Sequence, residues 1–117
     1  MTGISSAKSM VCELVSSSRV NNSIFFLHFL WDGPEPKAGQ FFMLKPARGS
    51  VFLPRPISIC EYNASERLVK FMIVRRGMGT DEITQLNNGE KAQLTGPLGN
   101  SWADFLPENG KVALVGG

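Results

Sequence analysis

The sequence predicts an all-β protein: a six-stranded antiparallel Greek-key barrel with one short helix. Three observations predict it. Short runs rich in Val, Ile, Leu and Phe recur at regular spacing, separated by clusters of Gly, Pro, Asn and Ser. Only one stretch, residues 81–86, has convincing helical character. No internal repeat and no low-complexity tract interrupts the pattern.

The elements follow in order. Residues 10–16 (Met-Val-Cys-Glu-Leu-Val-Ser) read as the first strand. Ser16 to Ser18 and Asn21 to Ser23 carry turn chemistry around Arg19-Val20, because their short polar side chains bond their own backbone. Residues 24–30 form a second strand, apolar on both faces, with His28 on the face of Ile24, Phe26 and Leu30. A Pro/Gly loop at 32–37 leads through Gly39-Gln40 into a third strand at 41–44, and Pro46 to Ser50 makes the next turn. The fourth strand starts at Arg55, and Asn63 to Glu66 closes a hairpin with the fifth strand at 68–75. Thr80 is placed to cap the helix, with Ile83 and Leu86 facing inward and Asn87-Asn88-Gly89 ending it. A sixth strand at 91–96 runs into a tight loop, Gly96-Pro97-Leu98-Gly99-Asn100. Residues 102–109 are irregular, with Trp102, Phe105 and Leu106 positioned to cover a barrel end. Residues 111–115 read as a last buried strand.

Composition narrows the function. The chain has 117 residues, enough for one modest core, and is 43% hydrophobic and 19% charged, as in a soluble globular protein. A net charge of +2 with no Lys/Arg run does not support nucleic-acid binding. The first eight residues lack an apolar signal segment, and the longest apolar run, 24–31, is too short to cross a membrane. Cys12 and Cys60 lie inside strand-like runs and read as two buried free thiols of a cytoplasmic protein. Two cysteines and one histidine form no metal-binding pattern. His28, alone on its face, reads as a structural residue.

The chemistry concentrates at Leu53-Pro54-Arg55-Pro56-Ile57-Ser58. Arg55 offers a planar fork of donors suited to phosphate or to a carbonyl-rich ring edge. Pro54 and Pro56 fix φ and give no N–H, which holds Arg55 extended beside an unpaired strand edge. Arg55 and Ser58 point to opposite faces unless the strand twists or bulges. The plain alternative is a proline-rich entry to an edge strand. A second site candidate is Gly77-Met78-Gly79-Thr80, a glycine turn opening the helix. Glycines let the backbone approach an anion, and the helix N-terminus presents free N–H groups. Arg75 and Arg76 stand just upstream, while Asp81 and Glu82 in the first turn would oppose a phosphate. The alternative is a glycine turn before an ordinary helix. Val112 to Val115 followed by Gly116-Gly117 resembles the first strand and turn of a dinucleotide-binding unit, so the expected division is a barrel over 1–110 and the start of a truncated nucleotide-binding domain at 111–117.

Together, Gly39-Gln40-Phe41, Arg55-Pro56-Ile57-Ser58, Gly77-Met78-Gly79-Thr80 and Gly96-Pro97-Leu98-Gly99-Asn100 resemble the flavin-binding half of the ferredoxin reductase family. The pairing of Arg-Pro-Ile-Ser with Gly-Pro-Leu-Gly-Asn is most similar to the electron-transfer subunits of class B dihydroorotate dehydrogenase. The resemblance implies FAD as cofactor. Arg55, Pro56, Ile57 and Ser58 would line it, the arginine at the diphosphate and Ser58 near the ring. Met72, Ile73 and Val74 would run beside the flavin through their backbone, with Ile73 and Val74 where relatives often carry an aromatic and an arginine. Gly79 and Thr80 would cradle the diphosphate. It further implies an FMN-containing dihydroorotate dehydrogenase catalytic subunit as partner, in a heterotetramer. A [2Fe–2S] cluster and NAD would belong to sequence beyond residue 117, so this chain alone would bind FAD without completing the reaction. No catalytic acid, base or metal ligand is expected of it. Two other readings stay open: the gamma subunit of a hydrogenase or a ferredoxin–NADP reductase with the same barrel, and a non-catalytic Greek-key binding module.

Overall fold

The computed structural model describes residues 7–47, 54–106, 109–111, 113 and 115. Six strands, β1 (Lys8–Arg19), β2 (Ile24–Leu30), β3 (Phe41–Pro46), β4 (Arg55–Asn63), β5 (Leu68–Val74) and β6 (Lys91–Leu98), close into an antiparallel barrel in the order β1-β2-β5-β4-β3-β6. The barrel is the expected Greek key, with one helix, α1 (Met78–Thr84), between β5 and β6. A single 3-10 turn, Trp102–Asp104, follows β6.

Alternation explains the walls. On β2, Leu27 and Phe29 are fully buried, whereas Ile24, Phe26 and His28 on the other face are half-buried and Leu30 is exposed. The outer face is covered in part by long neighbours: Lys70 Nζ lies 4.4 Å above the Phe26 ring. His28 Nδ1 lies 3.2 Å from the Ser16 hydroxyl across the β1–β2 pair. Inside, Phe42 stands edge-on to Trp31 at 4.8 Å and to Phe71 at 5.5 Å between centroids. Edge-to-face packing suits the ring quadrupoles. Trp31 is buried, and its indole N–H donates to the Pro34 carbonyl at 2.8 Å. Ile83 of α1 is fully buried and Leu86 beyond it packs on the core, so the helix seals its end of the barrel against β3 and β5.

Several expectations change. β1 runs on through Ser16 to Arg19 rather than turning there, because those serines pair with Leu27, Phe26 and their neighbours after a bulge between Leu14 and Ser16. The helix starts earlier, with Gly77 rather than Thr80 at the cap. Trp102, Phe105 and Leu106 do not cover a barrel end: they are 53%, 71% and 45% exposed, and Ile83 and Trp31 fill the barrel instead. Cys60 is exposed on the outer side of β4, and only Cys12 is buried. Of the expected last strand, the described residues Lys111, Ala113 and Val115 are exposed and hold no strand pairing. The expected turn at 46–50 and Leu53 fall largely outside the described residues.

Candidate functional site

The site candidates meet at a seam in the barrel wall. β4 pairs with β3 along its first half, Arg55 to Ser58 standing opposite Leu44 to Phe41. Among the described residues its pairs with β5 begin only at Ile59 with Phe71 and continue to Asn63 with Leu68. The second half of β5, Met72 to Val74, pairs on its other side with Phe26 to Ile24 of β2. Between Arg55–Ser58 and Met72–Val74 the two strands are therefore unzipped. The expectation of an unpaired edge beside Arg55 is met, although the barrel is closed elsewhere.

The hydrogen bonds on either side say which backbone groups face the seam. Ile59 N–H donates to the Gln40 carbonyl at 3.1 Å, on the β3 side. By alternation, Pro56 and Ser58 turn their backbone toward β5. Arg75 N–H donates to the Ser23 carbonyl at 2.7 Å, on the β2 side, so Met72 and Val74 turn theirs toward β4. Continuing the ladder would match Ser58 with Met72 and Pro56 with Val74. Pro56 has no N–H to give, so the second of those pairs cannot form fully. The seam is thus written into the sequence at Pro56, and it leaves the amides and carbonyls of Ser58, Met72 and Val74 open to a ligand.

The side chains sort in the same way. Arg55, Pro56 and Ser58 are exposed, while Ile57 is half-buried and packs on the core. Register puts Arg55 and Ile57 on the Leu44–Phe42 side and Ser58 with Phe41 on the outer side, so Arg55 and Ser58 do not share a face. Met72 is 47% exposed and Ile73 is fully buried in the barrel. Ile73 is thereby kept out of the seam in both side chain and backbone, because its amide faces β2.

At the end of the seam lies the first turn of α1. Gly77, at φ 146°, leads into it, and Gly79 and Thr80 sit within that turn. The Thr80 hydroxyl is already used: it accepts from Arg76 N–H at 2.7 Å and donates to the Gly77 carbonyl at 3.2 Å. It ties the loop to the helix. Asp81, expected to oppose an anion, is held by Arg75, whose Nε is 3.4 Å from its carboxylate and whose guanidinium lies 5.5 Å from the Phe25 ring. That pair is about half exposed and contributes modestly to stability, but it offsets the negative charge beside the turn.

Open strand amides, an exposed guanidinium, a hydroxyl and a glycine-led helix turn fit a long anionic cofactor such as a flavin nucleotide. One feature escaped the sequence reading: Gly77 as the start of the helix. The signal was present, in a glycine three residues before Thr80.

Comparison with known proteins agrees with this geometry. No family model matches the chain. A curated protein of Caldanaerobacter subterraneus subsp. tengcongensis, named dihydroorotate dehydrogenase B (NAD(+)), electron transfer subunit, is 31% identical over 108 residues, 92% of this chain and 42% of its own length. The protein of the same name from Clostridium perfringens is 42% identical over 80 residues, 68% of this chain and 30% of its own. The barrel overlays on the ferredoxin reductase in carbazole 1,9a-dioxygenase with a TM-score of 0.71 at 21% identity, over 80% of this chain and 29% of that one. The chain has the ferredoxin reductase fold, and its sequence relatives are electron transfer subunits. A further structure of this fold, an NADH-dependent reduced ferredoxin–NADP oxidoreductase, overlays with a TM-score of 0.69 at 20% identity, over 77% of this chain and 34% of that one. The chain spans less than half the length of the curated relatives it matches. In this ferredoxin reductase-type barrel two of the four motifs that carried the resemblance border the seam: Arg55–Ser58 forms one side and Gly77–Thr80 stands at its end.

Proposed function

We propose that this chain is the FAD-binding portion of an electron-transfer subunit that passes electrons between a dihydroorotate dehydrogenase and NAD. The observation that carries the reading is the seam between Arg55–Ser58 and Met72–Val74, with the first turn of α1 at its end. Arg55 holds the diphosphate by charge-assisted donors. Ser58 presents its hydroxyl and amide to the ring, and Met72 and Val74 add backbone contacts from β5. Gly79 lets the backbone of α1 approach the diphosphate, while Thr80 fixes the loop that carries it. Pro56 and Ile57 shape the wall, the first by withholding a donor and the second by anchoring β4 to the core. Ile73 acts only as that strand's core anchor. When bound, FAD supplies two-electron exchange with a nicotinamide and one-electron exchange with a cluster. The nicotinamide and the [2Fe–2S] cluster fall to sequence outside this chain, and an FMN-containing catalytic subunit is the partner, in a cytoplasmic heterotetramer. Names of relatives matched over nearly the whole chain support this identity. Among the described residues, no group of three or more His, Cys, Asp or Glu is placed to hold a metal, and no helix is long and apolar enough to cross a membrane.

The test is direct. The chain is mixed with FAD, desalted, and its visible spectrum recorded beside Arg55→Ala. Bound flavin near one per chain is expected, weakened about 10- to 100-fold in the variant, as befits one charge-assisted contact. A folded chain that keeps no flavin, or a variant that binds equally well, refutes the assignment.

A further inference from the structure

A cavity lies two residues further along β4. Glu35, Gly39, Cys60, Glu61, Tyr62 and Trp102 line this cavity of about 320 Å³ on the outside of the barrel. A smaller one of about 210 Å³ continues from it past Gly39 and Trp102 to Phe105. Trp102 divides the two and is held in place. Its backbone N–H donates to the Ala38 carbonyl at 2.8 Å. Its ring lies where a Cβ on Gly39 would come within 2.8 Å of Cδ1, and Gly39 has a φ of +95° that favours glycine. Gln40 Nε2 fastens the same loop to the Gly99 carbonyl at 2.9 Å.

The chemistry of the lining is one-sided. Two aromatic rings, Trp102 and Tyr62, stand with two exposed carboxylates, Glu35 and Glu61, and among the described residues neither carboxylate has a hydrogen bond or ion pair. Lys70, the cross-strand neighbour of Glu61, sits over Phe26 instead. Aromatic faces and carboxylates both favour a cation, and a guanidinium serves both at once. Beside the cavity, Phe105 and Leu106 are 71% and 45% exposed, an apolar rim of the kind that surrounds a protein contact.

We propose that this face docks a partner protein by seating one of its arginine side chains between Trp102 and Tyr62, against Glu35 and Glu61. That the partner is the electron-accepting subunit rests on the function proposed above; the binding chemistry does not. Cys60 is two residues from Ser58, about 7 Å along a strand, so a docked partner would stand beside the flavin seam.

The probe is a tetra-arginine peptide, titrated into this chain and followed by amide and indole proton–nitrogen correlation spectra. The chain has two tryptophans, so the Trp102 indole signal is assigned with Trp102→Phe. Saturable shifts are expected at the Trp102 indole and at Gly39, Cys60 and Tyr62. The Glu35→Gln/Glu61→Gln variant, altered at two exposed positions and checked for native dispersion, should bind about tenfold more weakly. A tetra-glutamate peptide should leave these signals unmoved. Unmoved signals at millimolar peptide, shifts scattered over the surface, or equal binding by the variant overturn the site. Flavin retention with no peptide binding defeats this inference alone. Peptide binding without flavin retention keeps the site and defeats its electron-transfer role.

Discussion

Gly96 sits in the motif that most strongly marked the resemblance, yet the structure gives it a packing role. A Cβ built there would lie 2.6 Å from Phe42 Cδ2 and 2.8 Å from Cγ. Carbon atoms do not approach so closely, so something must move. Phe42 has nowhere to go: it is fully buried, edge-on to Trp31 at 4.8 Å and to Phe71 at 5.5 Å. Gly96 itself is tied in β6 opposite Lys8 of β1. Gly96→Ala therefore overpacks the centre of the barrel. Inserting one methyl group where neighbours cannot yield costs about 1–3 kcal/mol. For a domain of this size that lowers Tm by about 4–12 °C. Urea unfolding followed by tryptophan fluorescence measures it, and the midpoint should fall with the slope unchanged. Phe42→Leu alone also destabilises, by leaving space, but combined with Gly96→Ala it should recover part of the loss, because the two changes compensate in volume. Flavin affinity of the folded Gly96→Ala protein should be unaltered. A variant as stable as the parent, or two changes whose costs simply add, would refute the packing account of this glycine.

Other predictions follow from the same geometry. Cys60 is exposed and Cys12 buried, so a disulfide reagent at neutral pH should modify one thiol per native chain quickly and the second only on unfolding; two equally fast thiols would contradict the barrel wall at Cys12. Burial pushes the Cys12 thiol up from 9.0 to about 11. The native state then keeps a proton that the unfolded chain releases, so this contribution, about 2–3 kcal/mol, is intact below pH 9 and lost between pH 9 and 11. Stability curves of the parent and Cys12→Ala should converge over that window, and parallel curves would show that the thiol is not the cause. Pro56→Val adds a donor facing Val74. Amide exchange at Met72 and Val74 should slow by about two- to tenfold as the seam zips, while flavin retention falls; unchanged exchange at both would mean that Pro56 does not hold the seam open.

The strands other than β4 were legible because each has one buried face, and the alternation of Leu27 and Phe29, or of Val69, Phe71 and Ile73, fixes it. β2 was bounded correctly because turn residues flank it on both sides. β1 was cut short because Ser16, Ser17 and Ser18 have turn chemistry in isolation, and only their pairing with β2 makes them strand. The helix was placed late because a threonine outranks a glycine as a cap in local preference, whereas here the Thr80 hydroxyl fastens the loop from inside the first turn. The site was legible as a set of residue types, not as a shape. Nothing local says that the Ile73 backbone turns toward β2, that Trp102 lies outside against Gly39, or that Cys60 is exposed; those depend on which strands meet around the barrel.

The motif residues therefore divide between fold and function in a way that spacing alone does not reveal. Gly96 serves Phe42, Gly39 serves Trp102, and Thr80 serves its own loop. What remains for a ligand is mostly backbone: the groups of Ser58, Met72 and Val74 that a continuous ladder would have consumed. A closed barrel has no free edge, so a strand-edge ligand site in such a fold needs a local failure of pairing. Proline is the cheapest way to enforce one, because it removes a donor without changing the direction of the chain. If the proposed cofactor binds here, its site depends as much on Pro56 as on Arg55: Arg55 would select the anion, and Pro56 would keep open the space for the anion's carrier.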